Sequence, residues 1–153
     1  MRTLLLSLCI TSLVSFGLYG QSIDLEDMRS NYEHATTDKD LCKTMLEAME
    51  QNKEYPVYLA YLGGLQSIWA NHVRNPITKL KTFNKGKENL EKAFLMDSDN
   101  IEIRFIRWSV QKNAPKFLGY YQQIEEDEKF IKDNKHKIQS ESLKQLVHKS
   151  HIE

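Results

Sequence analysis

Arg104 and Arg107 stand one helical turn apart in the segment Ile101 to Lys112, which is otherwise dominated by aromatic and aliphatic residues. Gln111 continues their stripe and Trp108 flanks it. Guanidinium forks match carboxylates bidentately, and an indole can stack on them. The chemistry this favours is recognition of a partner's carboxylate or C-terminus, with Asn113, Lys116 and Tyr120 completing the pocket. The competing reading is structural. In that case the two arginines pair with Glu102, Glu125 or Glu128 across a helix interface.

The other reactive residues are less suited to chemistry. Glu125, Glu126, Asp127 and Glu128 contain carboxylates at i, i+3. General acid–base work needs one carboxyl in an apolar setting and another kept ionised. Four consecutive acids instead rotate around a helix, so most face water, and their spacing is not that of a calcium loop. His148 and His151 near the C-terminus lack a third ligand and a rigid support. His72 falls on an apolar helix face, as a hydrogen-bonded core histidine would. Cys42 lies among Leu41, Met45 and Met49, a setting for a buried, inert thiol. No HExxH, GxSxG or phosphate-loop pattern occurs. The expectation is a protein with no catalytic residue, no metal and no cofactor.

Composition narrows the class further. The chain has 153 residues, enough for one domain with a genuine core, and its 21 basic residues balance 21 acidic ones. That balance predicts neither nucleic acid nor an anionic membrane as partner. Residues 1–20 form the secretory-signal pattern: Arg2, an apolar run from Leu4 to Leu18, then Gly17 and Gly20 before a cleavage point at Gln21. An uncleaved anchor is the alternative. The run is too short for a comfortable membrane span. Cys9 lies inside it, not at its end, so a lipoprotein signal is not expected. Cleavage leaves Cys42 alone, without a disulfide framework.

The elements that position these residues are helices. Pro56 to Val73 contains no Lys, Arg, Asp or Glu, although charged residues make up 27% of the chain. Tyr58, Leu62, Leu65, Trp69 and His72 fall on one face at helical period. Ala60, Gly63, Gly64, Ser67 and Asn71 lie opposite. A helix large on one side, small on the other and uncharged throughout is buried on most of its circumference. Its two glycines cost roughly 1 kcal/mol each against Ala, so the close approach of a neighbouring helix is expected to compensate.

Around this central helix the spacing predicts helices over 23–34, 39–52, 77–97, 101–112, 120–132 and 140–149. Asp38 or Thr37, and Asp99 or Asn100, serve as caps. The inward stripe of 77–97 is Ile77, Leu80, Phe83, Leu90, Ala93, Phe94 and Met96, with its lysines on a solvated face. The helix at 120–132 turns Tyr120, Ile124, Phe130 and Ile131 inward. The last helix has only Leu143, Leu146 and Val147 to bury and is expected to attach loosely. No segment alternates as a strand does. The fold class is all-α: about six or seven helices in antiparallel hairpins, forming one domain over 21–153.

Gly86, Leu90 and Ala93, followed by Asp97-Ser98-Asp99-Asn100, resemble the second helix and turn of a tetratricopeptide repeat, with Ser98 where the family prefers Pro. Leu62-Gly63 resembles the Leu-Gly of its first helix. The hairpin needs about ten extra residues around Val73 to Leu80, so the resemblance covers about forty residues and no regular 34-residue array. Tyr55 to Ile131 as a whole also resembles small exported proteins of Bacteroidetes-type bacteria without an assigned activity. The first resemblance implies a binding scaffold, because stacked hairpins present a groove of regular pitch. The second implies Gram-negative export, to the periplasm or beyond. The expected function is therefore an exported, non-enzymatic protein-interaction or scaffold module of the envelope. The alternative is a small-molecule or peptide-carboxylate binder that uses Arg104, Arg107, Trp108, Gln111, Lys116 and Tyr120.

Overall fold

The computed structural model describes residues 24–152, and the expected leader lies outside them. Among these residues there are seven α-helices and no strand. They are α1 (Leu25–Asn31), α2 (Lys39–Glu50), α3 (Pro56–His72), α4 (Pro76–Met96), α5 (Ile101–Asn113), α6 (Ile124–Asn134) and α7 (Glu141–Lys149). The all-α class read from periodicity is therefore the class observed. No helix among them is long and apolar enough to cross a membrane.

Short polar side chains start these helices by taking up backbone N–H groups that have no partner within the helix. Asp38 accepts from Leu41 N at 2.9 Å, Asn75 from Thr78 N at 3.0 Å, and Asn100 from Glu102 N and Ile103 N at 3.1 and 3.3 Å. Pro56 and Pro76 occupy first-turn positions, where the missing N–H costs nothing.

α3 is the hub. Its residues Leu59 to Ser67 are all buried, and so is Ala70. α2 packs on it antiparallel: the Cys42 thiol reaches Leu65 O at 3.8 Å, and Lys39 lies over the Trp69 ring. α4 also returns antiparallel. Gly63 of α3 meets Gly86 and Leu90, while Ser67, a turn later, meets Gly86. α5 runs parallel to α3, with Tyr61 on Glu102 and Gly64 against Ile106. The small face thus serves two neighbours: Gly63 admits α4, and Gly64 admits α5 together with the Tyr32 hydroxyl. α6 lies antiparallel on α5, and α7 runs beside α1, joined by Ser30–Ser142 and Ser140–Glu26 hydrogen bonds. Leu143 and Val147 of α7 are buried, as is Ile152 beyond its end.

Three local expectations need correction. The helix expected from Tyr120 begins only at Ile124. Gly119 takes a left-handed φ of +64°, which turns the chain, and Gln123 N is held by the Gln111 side chain at 3.2 Å. Tyr120 is buried, but from this turn and not from a helix. Ile77, Leu80 and Met96 are exposed: 79%, 47% and 45% of their surface reaches solvent. Asp127, placed with the outward acids, is fully buried.

Cys42 is fully buried, and burial pushes its thiol up to about 11. The native protein should therefore resist alkylation by iodoacetamide at neutral pH and react fully once unfolded. Mass spectrometry across a urea series checks this, and rapid labelling of the native state would contradict the packing of α2 on α3.

Candidate functional site

The arginine stripe is already filled. Asp127 of α6 takes the Arg107 fork bidentately, with Nε to Oδ2 at 2.7 Å and the second terminal nitrogen to Oδ1 at 2.8 Å. Arg104 donates to the same Oδ1 at 2.9 Å, to exposed Glu126 at 3.1 Å and to Ser98 O at 2.7 Å. Glu91 of α4 accepts from Arg107 at 3.3 Å and from the Tyr120 hydroxyl at 2.6 Å. The guanidinium planes stack on Phe94, 3.6 Å from its centroid for Arg107, and on Phe130, 4.2 Å away for Arg104. Trp108 is not their stacking partner. Gln111 bonds Gln123, and Lys116 sits on the exposed turn at Lys116–Leu118.

Arg104, Arg107, Gln111 and Tyr120 thus form one buried polar cluster tying α4, α5 and α6 together. The partners anticipated for the arginines, Glu102, Glu125 and Glu128, are not the ones used. Glu102 faces the other way and binds Arg29 through two bonds of 2.7 Å and Tyr61 through one of 2.7 Å. Glu128 accepts from the Trp108 indole at 3.3 Å and pairs with Lys132 at 3.2 Å. Asp127 was recognisable in hindsight: Ile124, Asp127 and Ile131 stand at i, i+3 and i+7, on one helical stripe.

The opposite face of α5 borders open space. A cavity of about 1000 Å³ lies between α3, α4, α5 and the ends of α1 and α7. Phe83, Phe105 and Trp108 supply aromatic surface, with the Phe105 and Trp108 rings 6.1 Å apart and nearly parallel. Ile68, Leu80, Val110, Leu118 and Leu146 add aliphatic surface. Phe117, 86% exposed, stands at the edge. Of the six residues singled out in the sequence, Trp108 alone lines this space, joined by Asn113 from the wider group.

Four hydroxyls of the wall are committed within their own turns. Thr36, Ser67, Ser109 and Ser150 each donate to a backbone carbonyl three or four residues back, at 2.7, 3.0, 2.8 and 2.6 Å. The charged lining is Glu33, Lys79, Lys112 and Lys149. Glu33 and Lys149 pair at 3.6 Å. Lys112 lies over the Trp108 ring at 5.7 Å, and among the described residues neither it nor Lys79 is in an ion pair. Concave sites of about 300 to 1,000 Å³ with aromatic walls and some polar groups are the usual form of a ligand site, and this chamber, with polar and apolar residues both well represented in its lining, is of that size. Nothing in it resembles a nucleophile with its base. Comparisons with family models, curated proteins and solved structures returned no match.

Proposed function

We propose that this chain is an exported, non-enzymatic helical binding protein whose ligand site is the chamber between α3, α4, α5 and α7. The single observation behind this reading is the half-enclosed apolar cavity of about 1000 Å³. Burial of apolar surface drives association at roughly 25 cal/mol per Å², so a chamber floored by Phe83, Phe105 and Trp108 favours an apolar ligand. The leader pattern of residues 1–20 supports export. The commitment of Arg104 and Arg107 to Asp127 moves the binder reading away from the arginine stripe.

A neutral, polarity-sensitive dye such as Nile red tests the site without invoking charge. Saturable binding at one dye per chain is expected, with a blue-shifted emission. Ser109→Phe, and separately Leu146→Trp, should fill the chamber and reduce dye affinity at least tenfold while the protein stays folded by circular dichroism. Absent or non-saturable binding, or binding unchanged in both folded variants, would overturn the assignment.

A second reading, the tetratricopeptide-like interaction module, is favoured by the exposed side chains Ile77 and Phe117, 79% and 86% exposed, with Leu80 beside them. Exposed apolar groups rimmed by polar residues commonly mark protein contacts. The parallel placement of α3 and α5 also supports stacked hairpins. The dye titration separates the two readings, since a surface contact does not depend on the volume behind Ser109.

A further inference from the structure

Resting on the chamber as binding site, we infer that its ligand is a long-chain carboxylate: an apolar tail with an anionic head. The tail follows from the walls. Five aromatic side chains line the chamber: Tyr32, Phe83, Phe105, Trp108 and, at the edge, Phe117. The wall serines donate to carbonyls of their own helices, which leaves Asn71, Asn113 and the lysines as the polar groups a ligand's head could meet.

The head follows from charge. The four charged lining residues comprise three lysines and one glutamate, in a protein whose total charge is zero. Glu33 is taken by Lys149 at 3.6 Å. Lys79 on α4 and Lys112 on α5, the latter over the Trp108 ring, stand on two different walls without a carboxylate in ion-pair contact among the described residues. A cation gains nothing from this arrangement, whereas a carboxylate gains an ammonium partner at the solvent edge. A chain of about sixteen carbons is of the size such chambers enclose.

The test titrates the purified protein with hexadecanoate, its shorter homologues and hexadecanol, each read as displacement of Nile red. Hexadecanoate should displace the dye at one per chain. Each pair of methylenes removed should weaken binding roughly 15-fold, the effect of two buried CH₂ groups. Hexadecanol should bind about fivefold more weakly than the acid. The Lys79→Gln/Lys112→Gln double variant should lose about fivefold for the acid and nothing for the alcohol, since exposed charge pairs contribute modestly.

Equal binding of acid and alcohol, or a lysine variant that treats both as the parent does, would overturn the carboxylate assignment. Dye binding itself would then still stand, leaving an apolar site without anion selection. Displacement by an acidic apolar peptide but not by hexadecanoate would also overturn it, in favour of a protein partner. If the dye fails to bind at all, the chamber is no site and both assignments fall.

Discussion

Replacing Asp127 with Ala should cost the protein about 3–5 kcal/mol of stability, the largest loss expected from any single polar change. Asp127 is completely buried, and its two oxygens serve both Arg107 and Arg104. Without it, two guanidinium groups remain inside the protein, Arg107 with only partly exposed Glu91 and Arg104 with exposed Glu126. Burying charge without a partner is what makes such deletions expensive. Against a total stability of roughly 5–15 kcal/mol, typical of single domains, the variant should unfold at markedly lower urea concentration and melt about 10 °C lower. Glu126→Ala is the control. Its carboxylate is 64% exposed, so its pair with Arg104 should be worth under about 1 kcal/mol. Simultaneous replacement of Arg104, Arg107 and Asp127 by apolar residues of similar volume should recover most of the loss, because the desolvation cost goes with the charges. Urea unfolding followed by circular dichroism reads all three. An Asp127→Ala protein within about 1 kcal/mol of the parent would mean that the guanidinium groups reach water, and the arginine stripe would again be available to a partner.

Much of the architecture was legible because its signals are local. A helix buried on most sides carries charge only where that charge is paired, so the uncharged run from Pro56 to Val73 marks α3 directly. Short polar residues precede the apolar periodicity at Thr37-Asp38 and Asp99-Asn100, and in each pair the second residue is the cap. The start of α6 was missed because Tyr120 has helical spacing from Ile124, and periodicity cannot tell a buried turn residue from a helical one. Periodicity also marks an apolar stripe without saying what covers it. Ile77 and Leu80 belong to the stripe of α4, yet they extend past α3 to the open side. The arginines stand out in the sequence of α5, but their partner depends on how α6 rotates against α5. Only the spacing of Asp127 with Ile124 and Ile131 pointed to it. The chamber had no local signal at all. Its walls come from Tyr32 through Ser150, and its volume is a property of how five separate elements meet.

The α3–α4 crossing should be equally intolerant of change, for a steric reason. A methyl group on Gly63 would lie 2.6 Å from Gly86 O, and one on Gly86 would lie 2.6 Å from Gly63 O. The obstacle in each case is backbone, which cannot rotate away as a side-chain tip can. Gly→Ala in a helix ordinarily gains about 1 kcal/mol from propensity. Here the helices must part, and overpacking costs roughly 1–3 kcal/mol or more while loosening Leu90 and Ala93, both fully buried beside the contact. Gly63→Ala and Gly86→Ala should each be net destabilising, and Gly63→Leu should prevent stable folding. Because either methyl forces the same separation, the second should cost less once the first is present. The double Ala variant should therefore fall short of the sum of the singles by about 1 kcal/mol, a coupling expected only for sites in contact. Gly119→Asn serves as the contrast: a Cβ there meets nothing within 4 Å, and Asn tolerates its φ of +64°. Calorimetric melting of the five variants reads the pattern. A Gly63→Ala protein more stable than its parent, or strict additivity in the pair, would show that the two helices do not cross through these glycines and would remove the support that holds α4 at the edge of the chamber.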